Sequence, residues 1–200
     1  MLYSHDGKQP HVDPTSRIAP NAILCGDVTI GLNCSVGFGA VLTAESGPIA
    51  IGANCVIMDT AVIRGVRGNP VRIGDNVLVG PRAYLTGCEI ADDVFLATGA
   101  TVFNGARVGA RAEVRINGIV HLRTVLPADA LVPLGWIAVG DPAEILPPHD
   151  HERIWAIQQT LDFPRYVFGV ERAPPGQSIH PAVMPRYASR LRSHVEDRLL

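Results

Sequence analysis

The stretch Ile73-Gly-Asp-Asn-Val-Leu-Val-Gly-Pro-Arg-Ala-Tyr-Leu-Thr-Gly-Cys88 decides the fold. Its aliphatic residues Ile73, Val79 and Leu85 stand six apart. Working outward, the spacing recurs at Ile18, Leu24, Ile30, Val36 and Leu42, and again at Ile51, Ile57 and Ile63. Downstream it runs through Ile90, Leu96, Val102, Val108, Val114, Val120, Leu126 and Val132. Gly or Ala often follows the aliphatic residue (Gly31, Gly52, Gly74, Gly80), and a small residue often stands four places on (Cys34, Cys55, Ala61, Ala83). A helix needs a period near 3.6 and an amphipathic strand a period of 2. A period of six fits neither. It fits a coil of three short strands per turn, which predicts an all-β chain folded as a hexapeptide parallel β-helix.

With eighteen residues to a turn, the three faces follow by arithmetic. Face A carries Ile18, Val36, Ile57, Val79, Leu96, Val114 and Val132. Face B carries Leu24, Leu42, Ile63, Leu85, Val102 and Val120, and face C carries Ile30, Ile51, Ile73, Ile90, Val108 and Leu126. About seven coils are expected, over residues 18–146. Residues 1–17 read as an irregular lead-in. Residues 147–170 hold a helix over 151–160 that Asp150 would cap and that packs on the prism. Residues 171–200 read as a linker and a short terminal helix from Arg186, with Tyr187, Leu191, Val195 and Leu199 recurring every four residues. Asn33, Asn54 and Asn76 share one late position on face C, where a corner calls for a left-handed backbone. Insertions near Glu45–Pro48 and Gly65–Pro70 interrupt face B, so loops are expected there, at 44–50 and 64–72.

Composition narrows the function classes. Apolar residues make up 47% of the chain but aromatics only 6%, as a narrow prism of stacked Ile, Val, Leu and Ala requires. A formal charge of -2 gives no electrostatic reason to expect nucleic acid or an anionic membrane as partner. No apolar run approaches the length of a membrane span, and no signal peptide is read at the start, so a cytoplasmic protein is expected. The four cysteines include no C-x-x-C pair; Cys34 and Cys55 fall on inward positions and read as small buried hydrophobes. A prism with apolar outward residues such as Phe38, Met58, Phe103 and Ile116 predicts a homotrimer with clefts between subunits.

The segments Cys55–Arg64, Ile73–Cys88, Leu96–Ala106 and Val139-Gly-Asp-Pro-Ala143 resemble the γ-class carbonic anhydrase family. The resemblance covers roughly residues 15–147. It implies a trimeric left-handed β-helix with zinc held between subunits by three histidines. Carried over residue by residue, the ligand positions fall on Arg64, Pro81 and Thr86, none of them a histidine. Asp59 is kept from the pattern around the first ligand, and Glu45 aligns with an upstream acid. Zinc needs nitrogen, sulfur or carboxylate donors. A guanidinium offers no lone pair and proline no donor. The expectation is that zinc is absent there, that no metal is held, and that hydration of carbon dioxide by the family mechanism is lost.

Arg64 and Thr86 fall in one column of face B, one coil apart, with Phe103 and His121 further along it. Asp59 and Pro81 share a column of face A. A cleft between face B of one subunit and face A of the next would unite the two columns. Glu45, Asp59, Arg64 and Arg82 would either hold a small anion by bidentate hydrogen bonds or form an ion-pair network between subunits. His121 is a candidate general base or a histidine hydrogen-bonded at the interface. The other histidines, His5, His11, His149, His151, His180 and His194, show no recognisable ligand spacing. The reading that results is a trimeric protein lacking the zinc site, a non-catalytic scaffold or small-anion binder. The alternatives are a hexapeptide acyltransferase using acetyl-coenzyme A, with His121 as base, and a carbonic anhydrase with a non-standard metal set.

Overall fold

A computed structural model describes all 200 residues. Face A is a separate seven-stranded parallel sheet whose registers pair Ile18 with Val36, Val36 with Ile57, and so on to Val114 with Val132. Faces B and C form one fifteen-stranded sheet, because the strands Ile23–Ile30 and Val41–Ile51 run through the corner between them. The six-residue repeat sets Leu24, Leu42, Ile63 and Leu85 one above another, each fully buried. Cys34 and Cys55 lie inward as expected and are fully buried or nearly so. Burial pushes the Cys55 thiol up to about 11, so it stays protonated packing material.

The corners follow the same repeat. Asn33, Asn54 and Asn76 adopt φ of 54°, 56° and 58°, and Asp93, Arg111 and Asp129 continue that left-handed column. Their side chains form a ladder: Asn33 Nδ2 donates to Asn54 Oδ1 at 2.7 Å, and Asn54 Nδ2 to Asn76 Oδ1 at 3.2 Å. Short polar side chains that tolerate this backbone thus also stitch one coil to the next.

The chain departs from the sequence expectation at both ends and in its loops. Residues 1–17 are not irregular. Leu2–Ser4 pairs in parallel with Leu24–Cys25, and His11–Val12 with Thr29–Ile30. They add a turn, giving about eight instead of seven. The six-residue rhythm is hidden there because His5 and Lys8 close a tight hairpin over Asp6-Gly7, with both turn residues at positive φ. The insertion expected at 44–50 is a bulge within the strand Val41–Ile51: Ala44 pairs with Gly26 and Ile49 with Val28, so residues 45–48 stand against Asp27 alone and have no register partners. Gly47 and Gly65 allow this, for a Cβ on either would strike the backbone of the neighbouring coil. The second insertion is a hairpin closed between Val66 and Asn69.

After the last coil, helix α1 (His151–Gln158) buries Ile154 against Val139 and Leu146. Asp150 occupies its N-cap position without a side-chain bond to the helix. Helix α2 (Phe163–Phe168) and helix α3 (His180–Leu191) follow. Helix α3 starts earlier than the repeat of Tyr187 suggested, because Pro181 sits in the first turn, where its missing N–H is no loss. The expected stripe is not a buried face: Val195 and Leu199 are exposed, and Val183 is the buried residue of α3. The tail ends as the strand Arg198–Leu199, antiparallel to Tyr3–Ser4, so the two termini of the chain meet on the first coil.

Candidate functional site

One outward column of face B holds Cys25, Thr43, Arg64 and Thr86 in register, each pair on adjacent strands. At the strand spacing of a sheet, neighbours in that column stand about 4.8 Å apart. The strands below continue it with Phe103 and His121, whose rings lie 6.0 Å apart, while the Tyr84 ring sits 6.3 Å from Phe103. The wall expected from a neighbouring subunit is here supplied by the chain itself. Helices α2 and α3 lie over the column and enclose with it a cavity of about 610 Å³.

Arg64 is central to that enclosure. Its Nε donates to Glu45 Oε1 at 3.0 Å and its Nη2 makes a second bond to the same oxygen. Nη2 also donates to Tyr187 Oη at 3.0 Å. Burial opposes the Arg64 charge, but the bonds to Tyr187 and Glu45 outweigh it and hold the pKa above the ordinary arginine value. Tyr166 docks α2: its Oη lies 2.8 Å from Asn69 Oδ1, and the Arg123 guanidinium stands 5.5 Å from the ring centroid. Gly105 makes room for this, since a Cβ there would run into Tyr166 Oη.

The charge of the cavity is one-sided. Arg64, Arg67, Arg186 and Arg190 line it, and Glu45 is the single carboxylate. Only Arg64 is ion-paired; Arg190 Nη2 reaches Ser46 Oγ at 3.0 Å instead. Tyr84, Phe103, Phe163 and Phe168 supply flat apolar walls beside the guanidinium groups. Such a lining suits an anion with an apolar body.

The structure separates the other residues singled out by sequence. Pro81, Asp59 and Arg82 do not line the cavity. The Asp59 carboxylate accepts the Phe38 backbone N–H at 2.7 Å, and Arg82 is a corner residue with φ of 57° whose N–H donates to the Asp59 carbonyl. The four-residue set Glu45, Asp59, Arg64 and Arg82 therefore reduces, within the chain, to the Glu45–Arg64 pair. Thr86 is buried beneath the tail and lines the cavity. His121 sits just beyond, its Nδ1 buried without a hydrogen-bond partner, and burial lowers its pKa.

Sequence reasoning missed Arg67, Tyr166, Arg186, Tyr187 and Arg190. The available signal was the pair Arg186 and Arg190, one helical turn apart beside Tyr187, which puts two cations and a phenol at one end of a short helix.

The hexapeptide-repeat profile of succinyl-transferase matches residues 27–58 and 70–104. "Gamma carbonic anhydrase 2, mitochondrial" of Arabidopsis thaliana is 33% identical over 159 residues, which is 76% of this chain and 55% of that protein. The chain spans about half the length of the curated relatives it matches. A hexapeptide transferase family protein from Anaplasma phagocytophilum superposes with a TM-score of 0.53 at 29% identity, covering 80% of this chain and 90% of that one. A putative acetyltransferase from Bacillus cereus shares the fold at a TM-score of 0.56 and 23% identity, over 80% of this chain and 91% of that one. No helix of the chain is long and apolar enough to cross a membrane. With the repeat in the sequence, the coil in the structure and these relatives together, the chain is a hexapeptide-repeat left-handed β-helix protein whose sequence is similar to γ carbonic anhydrases.

Proposed function

We propose that this chain is a non-catalytic, γ-carbonic-anhydrase-like binder of a small anion, held in the cavity between face B and the C-terminal tail. The carrying observation is the imbalance of four guanidinium groups against one carboxylate in that cavity. An apolar-bodied carboxylate satisfies both the guanidinium donors and the aromatic walls.

The zinc of the resembled family does not fit the corresponding residues. Arg64 presents a cation already committed to Glu45 and Tyr187, and Pro81 has no side-chain donor. Thr86 offers one buried hydroxyl, a poor zinc ligand by itself. Hydration chemistry through that position is therefore not part of this reading. A homotrimer accords with the exposed apolar residues Val56, Phe95 and Leu131 on face A, which share a column with Leu78 and Glu113, and a cytoplasmic location remains the expectation from sequence.

Calorimetric titration with benzoate tests the proposal. Saturable binding that is lost in Arg186→Ala/Arg190→Ala is the expected result. No heat at millimolar benzoate, or binding that both arginines can lose without effect, contradicts it. The buried, unpartnered Nδ1 of His121 favours one second reading, acyl transfer from acetyl-coenzyme A with this imidazole as base. Its test is titration with acetyl-coenzyme A. Micromolar binding, with coenzyme A thiol released as the acetyl group passes to an added amine or alcohol and that release lost in His121→Ala, would favour it over the first reading.

A further inference from the structure

The tail that roofs the cavity finishes two coils away from Arg64, at the first turn of the prism. There three distant segments bring four metal-binding side chains together. His5 comes from the N-terminal hairpin, Cys25 from the outward column of face B, and His194 and Asp197 from the turn that precedes the terminal strand. Each offers one ligand atom, and these atoms all lie within 4.8 Å of one another. The Asp197 carboxylate is at the centre. His5 Nδ1 lies 2.6 Å from Oδ1, His194 Nδ1 lies 2.7 Å from Oδ2, and Cys25 Sγ donates to Oδ2 at 3.2 Å. The two imidazoles stack with centroids 4.2 Å apart, so both edges point the same way.

We propose that His5, Cys25, His194 and Asp197 form a structural zinc site that pins the C-terminal tail to the first coil. The donor set is two nitrogens, one sulfur and one oxygen. Calcium and magnesium demand oxygen ligands, whereas nitrogen and thiolate select zinc and its borderline neighbours. A tetrahedral ion with bonds of about 2.0–2.3 Å needs its ligand atoms roughly 3.3–3.7 Å apart, so the two shortest contacts, both nitrogen to oxygen, must open by about 0.7 Å. His5 has a further carboxylate on its other edge, with Nε2 3.6 Å from Asp6 Oδ2. An outer carboxylate of that kind orients a metal-bound imidazole. His5 is only 4% exposed and Cys25 5%, and all four positions of a tetrahedron are filled by protein, which is the closed form of a structural rather than a catalytic site. Metal binding would then contribute directly to docking of the tail, because its ligands come from both ends of the chain. This inference stands independently of the anion reading. The site is two strand spacings, about 10 Å, along the column from Arg64.

The test uses the full chain, stripped with a chelator and titrated with cobalt(II). About one cobalt per protomer should bind, with a thiolate-to-cobalt charge-transfer band that zinc then displaces. The band should vanish in Cys25→Ser. In His194→Gln, whose change lies on the surface tail, the affinity should fall at least about a hundredfold, since loss of an outer partner alone costs 10–100-fold. Cobalt uptake no greater than that of a metal-free control protein overturns the proposal. So does a charge-transfer band of unchanged intensity in Cys25→Ser with unchanged affinity in His194→Gln. Should Cys25→Ser not fold, the His194→Gln titration alone decides between the two outcomes.

Discussion

Arg64 Nη2 donates a hydrogen bond of 3.0 Å to the phenol oxygen of Tyr187, a residue 123 positions further along the chain. The same guanidinium holds Glu45. This pair of contacts ties the tail to Arg64, the position onto which the resemblance carries a zinc ligand. A side chain anchored on both sides by hydrogen bonds serves packing and charge placement, and each member can be removed separately.

Replacing Tyr187 by Phe deletes the phenol hydroxyl and little else. Loss of a hydrogen bond to a charged group should cost about 1–3 kcal/mol. Because the contact is between tail and prism, the loss should fall on docking of α3. Hydrogen exchange should quicken across His180–Leu191 while the central strands keep their protection.

Arg64→Ala leaves the Glu45 carboxylate, whose side chain is 9% exposed, without its cation. Breaking a fully buried pair costs about 3–5 kcal/mol; with the Arg64 side chain 25% exposed, about 2–3 kcal/mol is expected. Arg64→Met combined with Glu45→Leu should recover much of that loss, because no unpaired charge remains. Urea unfolding of the three proteins measures the difference, and a double variant less stable than Arg64→Ala would show that the pair stabilises by more than mutual neutralisation.

Gly105→Ala combines two penalties. The residue has φ of 73°, and the new Cβ meets Tyr166 Oη. The backbone term alone is about 1 kcal/mol. The collision should also displace α2 from Asn69, seen as faster proteolysis within residues 160–170. A variant as resistant as the parent would mean that Tyr166 is not seated as described.

The regular part of the fold was legible because its forces are local and repeated. Ile63 and Leu85 are inward for the same reason, and one spacing describes both. Asn33, Asn54 and Asn76 were readable as corners because few residue types accept that backbone. The first coil was not legible, since the hairpin His5–Lys8 breaks the period. The site was half legible. The column Arg64–Thr86 follows from counting, but its roof depends on Tyr166 and Tyr187 meeting partners about a hundred positions away, which no periodicity encodes. The cluster of His5 with Asp197, 192 positions apart, was hidden for the same reason.

His121 gives a pH dependence with a definite sign. Burial lowers its pKa in the folded chain below the ordinary value of 6.5, so the unfolded chain binds the extra proton first. Its contribution to stability is complete above about pH 6.5 and declines as pH falls from there through the lower folded pKa. Urea midpoints measured from about pH 7.5 to 5 should fall, and part of that fall should disappear in His121→Leu. Equal slopes in the two proteins would place the titration elsewhere.

The most direct test of the central claim, that the position of the family's metal is taken by an arginine committed to Glu45 and Tyr187, is stopped-flow hydration of carbon dioxide. The full chain would be stripped of metal, supplemented with zinc and assayed with and without chelator. The predicted rate equals that of buffer in both cases. Hydration that rises with protein concentration and is abolished by the chelator would contradict the account.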